Sequence, residues 1–178
     1  MRVLFIGNSF TARNDLPSLV AERAQARGER LEHAIVWAGG ASLRRHWNAG
    51  EAAALIASSP WDVVVLQEQS TLPIKSPERF HESAALFDEA IRAAGARTAL
   101  YMTWARRHAP ESWVPLVDAY LNTGLALDAF VVPVGEAWAR HPDPDSLYDR
   151  DGSHPSLEGS RLAAAVFAEA FWGSSPYA

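Results

Sequence analysis

The residues best suited to chemistry are a serine near the start of the chain and an aspartate–histidine pair near its end. Ser9 follows Gly7 and Asn8 directly after an apolar segment, and Asp151 lies three residues before His154. A serine hydroxyl becomes a nucleophile at neutral pH when a histidine takes its proton, and a third group must fix that histidine's tautomer. The sequence therefore predicts Ser9 as nucleophile, His154 as base and Asp151 as the orienting carboxylate.

Each of these residues also has a plain structural interpretation. Ser9 by itself is typical of a helix N-cap, and His154 by itself is typical of a surface-loop histidine before a proline. They occur together, however, at the end of a strand and just before the last helix. This combination favours the chemical interpretation.

The elements that must position these residues alternate along the chain. Predicted strands span 3–6, 31–37, 62–66, 98–103 and 130–134. Predicted helices span 16–27, 43–58, 78–94, 111–127 and 156–172. Because the strand segments are almost continuously apolar, we expect parallel strands covered on both faces. The pattern predicts an α/β fold, a three-layer α/β/α sandwich with a flavodoxin-like five-stranded sheet, whose strand-end residues gather along one edge.

The composition limits the class of protein. A length of 178 residues predicts one domain, 1–178. A net charge of -5 with scattered basic residues argues against a nucleic-acid partner. The chain has no cysteine, which excludes a thiolate nucleophile and fits a reducing compartment. The first apolar segment is too short for a signal peptide or membrane span, so we expect a cytoplasmic protein without a membrane partner.

Four blocks of sequence, taken in order, resemble those of the SGNH hydrolases, the GDSL-type esterases and lipases. The blocks are Gly7-Asn8-Ser9, Gly39-Gly40, Gln67-Glu68-Gln69-Ser70 and Asp151-Gly152-Ser153-His154. The resemblance covers the whole chain and implies the family's five-stranded α/β/α sheet. It also implies the same serine, histidine and aspartate as the catalytic triad, and neither a cofactor nor a metal.

The resemblance further implies an oxyanion hole. Two of its donors would be the backbone N–H groups of Ser9 and Gly40. The family usually supplies the third from an asparagine after the third strand, where this chain has none. The alignment places Gln69 in that position, and a glutamine amide offers the same donor on a longer stem. Gln67 is the fallback.

Other strand-end residues are further candidates for the site. Trp37 and Trp104 both lie at strand ends on the presumed active edge, and an indole there can stack on a sugar face. We predict that Trp104 binds substrate. Glu68 also lies close to the site, and its default interpretation is a solvated carboxylate.

A calcium-binding loop is the sharpest competing interpretation of the Asp151 segment. Glu158 has the spacing expected of the bidentate ligand of an EF-hand loop. The first ligand position would then be Leu147, which cannot bind calcium, and Pro155 would interrupt the loop. We therefore predict no metal site.

Together these observations predict a serine esterase that cleaves a small acyl group, such as acetyl, from a carbohydrate or similar polar alcohol. Two alternatives stay open: a non-catalytic ligand-binding domain on the same fold, and an acyltransferase with the same triad. A flavin phosphate in the turn after Gly7 would leave Asp151 and His154 without a role. The absence of Gly-x-Ser-x-Gly and of Gly-x-Gly-x-x-Gly argues against an α/β-hydrolase elbow and a dinucleotide site.

Overall fold

The sheet has five parallel strands, namely β1 (Arg2–Gly7), β2 (Glu32–Trp37), β3 (Val63–Leu66), β4 (Arg97–Tyr101) and β5 (Phe130–Val132). Their order across the sheet is β2-β1-β3-β4-β5, which is the flavodoxin-like order. This computed structural model describes residues 1–173; residues 174–178 of the predicted domain lie outside the described part. The predicted fold class is confirmed.

Nine α-helices connect or follow these strands within the described residues: α1 (Ser9–Ala12), α2 (Leu16–Ala26), α3 (Leu43–Ala49), α4 (Glu51–Ser58), α5 (Leu72–Lys75), α6 (Pro77–Ala93), α7 (Trp113–Leu127), α8 (Val134–Ala139) and α9 (Leu157–Trp172). The predicted helix 43–58 is in fact two helices. Gly50, with φ at +78°, ends α3 and begins α4. That left-handed conformation suits glycine, which has no Cβ to clash.

The helices cover both faces of the sheet because side chains alternate along each strand. Leu4 and Ile6 of β1 face a core formed with α3, α4, α6 and α7. Val3 and Phe5 face the opposite core, formed with α1, α2, α8 and α9. Both sets of side chains are fully buried. Residues 3–6 of β1 are therefore apolar on both faces of the sheet, as the sequence predicts.

The strand order determines which loops meet at the active edge. β1 lies between β2 and β3, so the loop after β1, which carries Ser9, is flanked by the loops that carry Gly40 and Gln69. The segment with Asp151 and His154 leads into α9, which packs against α2 on the same sheet face as α1. The topology thus brings residues from both ends of the sequence to one edge.

Candidate active site

In the turn after β1, the Ser9 hydroxyl does not cap the following helix. Asn8, rather than Ser9, caps α1, because its Oδ1 accepts the N–H of Phe10 at 3.0 Å. The Asn8 side-chain nitrogen donates to the backbone oxygen of Ala41 at 3.0 Å. Asn8 therefore fixes the serine turn and joins it to the loop that follows β2.

Gln67 supports the same turn from β3. Its Oε1 accepts the N–H of Asn8 and the hydroxyl of Thr11, both at 2.9 Å, and its Nε2 donates to the backbone oxygen of Glu68. A Cβ on Gly7 would lie 2.6 Å from this Oε1, so only glycine fits there. The Gln67 Oε1 thus holds the turn while its Nε2 is engaged with Glu68, which gives the predicted fallback oxyanion donor a structural role.

The structure brings the predicted nucleophile, base and orienter together. Ser9 Oγ lies 2.8 Å from His154 Nε2, and His154 Nδ1 lies 2.6 Å from Asp151 Oδ2. With Nδ1 donating to the carboxylate, Nε2 carries the free lone pair that accepts the serine proton. The arrangement is that of a hydroxyl activated through an imidazole by a carboxylate.

Asp151 also organises its own loop. Its Oδ1 accepts the backbone N–H groups of Ser153 and His154, each at 2.9 Å. Partial desolvation acts to raise the pKa of Asp151, but the His154 ring and these two N–H donors outweigh it and lower that pKa to about 2. Asp151 is therefore ionised at neutral pH and can hold His154 by both its ring and its backbone.

Trp104 supports this loop from beneath, which corrects the prediction that it binds substrate. Its indole is only 2% exposed, so it has no free face for a sugar. Its Nε1 donates to the backbone oxygen of Ser153 at 3.1 Å, and its ring stacks on Trp138 at 3.8 Å between centroids. Phe10 lies 5.1 Å from both Trp104 and His154, measured between ring centroids. Trp104 is a packing residue that holds the histidine loop.

Asn14 is a second support for this loop, and no pattern in the sequence indicated it. Its side-chain nitrogen lies 2.9 Å from Ser160 Oγ and 3.2 Å from the Ser156 backbone oxygen. Its φ of 55° is left-handed, a conformation that asparagine adopts more readily than most residues. The preceding residue, Arg13, forms an ion pair with Asp149. These contacts join the nucleophile segment to the chain on both sides of His154.

The three N–H donors predicted for the oxyanion hole have no internal partner within residues 1–173. They are the backbone N–H groups of Ser9 and Gly40 and the side-chain nitrogen of Gln69. Gly40 is exposed, and its φ is +62°. The Gln69 Oε1 accepts the N–H groups of Thr71 and Leu72 at 2.9 and 3.1 Å, which fixes the amide at the start of α5. A fixed amide with an unused nitrogen is what a preorganised oxyanion donor requires.

Glu68 differs from the solvated carboxylate that we expected. It is fully buried, and its Oε1 accepts the N–H of Leu43 at 3.1 Å and that of Gln69 at 2.6 Å. Burial raises the pKa of Glu68 to about 7, although the two N–H donors act to lower it. The strand-end position showed that Glu68 lies near the site, but its inward orientation could not be read from the sequence.

Trp37 is the strand-end tryptophan that is accessible. It is 52% exposed, and it pairs with Gly7 at the last register position of β1 and β2. The alternation along β2 puts Trp37 on the same sheet face as Ile35, which packs on the α1, α2 and α9 side. Trp37 therefore lies on the sheet face and at the strand end that carry Ser9.

Two kinds of feature are absent from residues 1–173. Across residues 1–173, no three His, Asp or Glu side chains are grouped so as to hold a metal ion. Over the same residues, no helix combines the length and apolar character that a membrane crossing needs. A cavity of about 800 Å³ lies at the opposite end of the sheet, where Arg97 begins β4 and Phe130 begins β5, and none of the candidate site residues lines it.

Solved structures of known proteins share this fold. An SGNH hydrolase from Slackia heliotrinireducens is 34% identical, with a TM-score of 0.86 over 97% of this chain and 99% of that one. A lipase/acylhydrolase from Enterococcus faecalis is 20% identical, with a TM-score of 0.77 over 96% and 95% of the two chains. An acetyl xylan esterase is 14% identical, with a TM-score of 0.78 over 97% and 100%. No family model and no curated protein matches the chain. The first of these similarities, which extends over nearly the full length of both chains, shows that this chain belongs to the SGNH hydrolase family.

Proposed function

We propose that this chain is a serine esterase that removes a short acyl group, such as acetyl, from a carbohydrate or another polar alcohol. The observation that carries the proposal is the continuous hydrogen-bonded series from Ser9 Oγ through His154 to Asp151, at 2.8 and 2.6 Å. Such a series activates a hydroxyl that is otherwise a poor nucleophile.

The reaction proceeds by two acyl transfers. Ser9 Oγ attacks the ester carbonyl carbon while its proton passes to His154 Nε2. The carbon–oxygen bond to the alcohol then breaks, and His154 returns the proton to the departing alkoxide. Water attacks the acyl-enzyme with His154 again as base, which releases the acid and restores Ser9. In both steps the N–H donors of Ser9, Gly40 and Gln69 stabilise the charge on the former carbonyl oxygen.

Two observations support a short acyl group on a polar alcohol. The exposed Trp37 at the active edge offers an indole face on which a sugar ring can stack. An acetyl xylan esterase that is 14% identical shares the fold. We propose the same type of reaction for this chain.

The test measures turnover of p-nitrophenyl acetate, butyrate and octanoate, and then of an acetylated xylan, by wild type and by Ser9→Ala. We expect turnover of the acetyl ester to exceed that of the octanoyl ester. Ser9→Ala and His154→Ala should each lower kcat by roughly 10³-fold or more, because the three residues act as a unit. Asp151→Asn should lower kcat by a smaller factor, since it only misorients the base.

A matched control exists on α2. Ser18 Oγ lies 3.5 Å from His33 Nε2, but neither side chain has a carboxylate partner within the described residues. Ser18→Ala should leave kcat unchanged. Full activity in Ser9→Ala would show that another nucleophile does the chemistry, and no turnover in wild type would favour the non-catalytic binding domain. Product analysis with added xylose as acceptor separates hydrolysis from acyl transfer.

A further inference from the structure

A single buried oxygen links the two loops that flank Ser9. Glu68 Oε1 accepts the N–H of Leu43, the first residue of α3, and the N–H of Gln69. Leu43 follows the short loop that contains Gly40, and Gln69 lies in the loop after β3. One carboxylate therefore links these two loops directly.

We infer that Glu68 is a positioning residue for the oxyanion hole, whose carboxylate fixes the Gly40 loop and the Gln69 loop relative to each other. This inference rests on the proposed function, because it assigns Glu68 a role in the reaction of Ser9. Glu68 does not touch the reacting atoms. It acts through the two backbone segments that present the donors.

The electrostatics of the site support a functional role. A carboxylate without a cation is costly in a protein interior, and a purely structural bridge is better served by a neutral side chain. Within residues 1–173 no cation pairs with Glu68, and its Oε2 has no partner. His46 of α3 donates to the Gly7 oxygen at 2.7 Å, and an Nη atom of Arg106 donates to Ser70 at 3.3 Å. The buried Nε of Arg106 has no hydrogen-bond partner within residues 1–173. Tyr120 of α7 is buried, and its pKa is raised, first by burial and then by the charge of Glu68.

The strength of the bridge depends on pH. The ionised carboxylate makes charge-assisted hydrogen bonds, which are about twice as strong as those of a neutral acceptor. Burial places the pKa of Glu68 at about 7, so the bridge is strong above that pH and weakens as pH falls through it. The acid side of the kcat profile should therefore contain an ionisation that belongs to Glu68.

The experiment measures kcat and KM of wild type and Glu68→Gln from pH 5 to 9 with p-nitrophenyl acetate. At pH 8 we expect Glu68→Gln to lower kcat by roughly 10- to 100-fold, less than the 10²–10³-fold loss on deleting a donor outright. KM should change by less than about threefold, because the oxyanion hole acts on the transition state. The acid limb of log kcat should be steeper in wild type than in Glu68→Gln.

The matched control is another buried carboxylate. Asp88 of α6 accepts from Thr98 at 2.6 Å and Arg92 at 2.8 Å, near the opposite end of the sheet. Asp88→Asn should keep the wild-type slope and kcat. If Glu68→Gln matches wild type in kcat and slope while Ser9→Ala is inactive, the role of Glu68 is overturned and the esterase proposal stands.

A second measurement does not need turnover. Amide hydrogen exchange at Leu43 and Gln69 reports the bridge directly. We expect both amides to exchange at least about tenfold faster in Glu68→Gln than in wild type at pH 8, with the core of β1 unchanged. Unchanged exchange at these two amides would overturn the inference even if wild type hydrolyses none of the esters.

Discussion

The side-chain nitrogen of Asn14 lies 2.9 Å from the hydroxyl oxygen of Ser160, and this contact joins the segment that carries the nucleophile to the helix that follows the base. The two residues are separated by 146 positions in sequence. Ser9 and His154 therefore face each other across an interface between the first and last parts of the fold. Their 2.8 Å separation depends on contacts such as this one.

Replacing Asn14 tests that dependence. Both Asn14→Gly and Asn14→Ala remove the hydrogen bonds to α9, but only alanine adds strain at the left-handed φ of 55°. We expect kcat to fall by roughly tenfold in both variants, since small displacements of reacting groups slow catalysis strongly. The Asn14→Ala variant should be less stable than the Asn14→Gly variant by about 1 kcal/mol.

Urea unfolding and steady-state kinetics check this expectation. Asn122→Ala, at an exposed position on α7, is the control for loss of an asparagine. Wild-type kcat in both Asn14 variants would show that other contacts, such as the Arg13–Asp149 pair, suffice to hold the histidine loop.

Gln69→Glu separates the two ends of the Gln69 amide. A glutamate keeps the acceptor that holds Thr71 and Leu72 but loses the unused N–H donor. We expect an increase of about 2.7–4 kcal/mol in the activation barrier, mostly through kcat, with little change in melting temperature.

Gln67→Ala is the matched comparison for this prediction. Because the Oε1 of Gln67 accepts two hydrogen bonds from the serine turn, removal of this side chain should lower stability as well as activity. Thermal unfolding of both variants, together with kcat, distinguishes the two roles. A fully active Gln69→Glu would remove Gln69 from the oxyanion hole.

Glu68 should make the stability of the protein depend on pH. Its pKa is raised from the ordinary 4.5 to about 7, so between these values the folded state holds a proton that the unfolded chain has released. The resulting stability is fully present below pH 4.5 and is lost as pH rises through 7. A shift of this size corresponds to about 3 kcal/mol.

Glu68→Gln has no such proton to release. The free energy of unfolding of Glu68→Gln minus that of wild type should therefore increase by up to about 3 kcal/mol as pH rises from 4.5 to 8. Urea unfolding at pH 4.5, 6 and 8 measures the difference. Parallel curves for the two proteins would mean that Glu68 does not titrate in this range.

Trp37 should contribute to binding of the alcohol part of the substrate. Trp37→Ala removes an indole that is 52% exposed, so the fold should tolerate the change. We expect KM for acetylated xylo-oligosaccharides to rise by roughly five- to tenfold, in line with 1–1.5 kcal/mol for an aromatic contact. Kinetics with p-nitrophenyl acetate should change little.

Leu125→Ala is the control for this variant, because Leu125 is 85% exposed on α7, beside the cavity at the opposite end of the sheet. An unchanged KM for every sugar ester in Trp37→Ala would contradict the stacking role of Trp37. The chemistry of Ser9 would be unaffected by that result.

Much of the fold could be predicted because its strands are strongly apolar and its helices are regular. The predicted strand 130–134 is too long, since Pro133 has no N–H for the sheet and α8 begins at Val134. That helix has only six residues, too few to show a helical period in the sequence. Gly50 interrupts a long apolar pattern, and periodicity does not show whether a glycine inside such a pattern breaks the helix.

The candidate site divides in a similar way. Ser9, Asp151 and His154 could be identified because their chemistry needs particular residue types in a particular order. Trp104 and Glu68 could not be assigned correctly, because strand alternation stops at the strand end and no longer shows which way a side chain points. Asn14 acts through a backbone conformation that its residue type permits but does not specify.

The distance along the chain between nucleophile and base also has a consequence for biosynthesis. β1 and Ser9 leave the ribosome early, whereas His154 and α9 follow only after the whole sheet has been synthesised. The serine therefore stays without its proton acceptor throughout translation of the intervening strands. Hydrolytic competence should arise in a single late event, when α9 docks on α2, so that incomplete chains carry the hydroxyl but cannot use it.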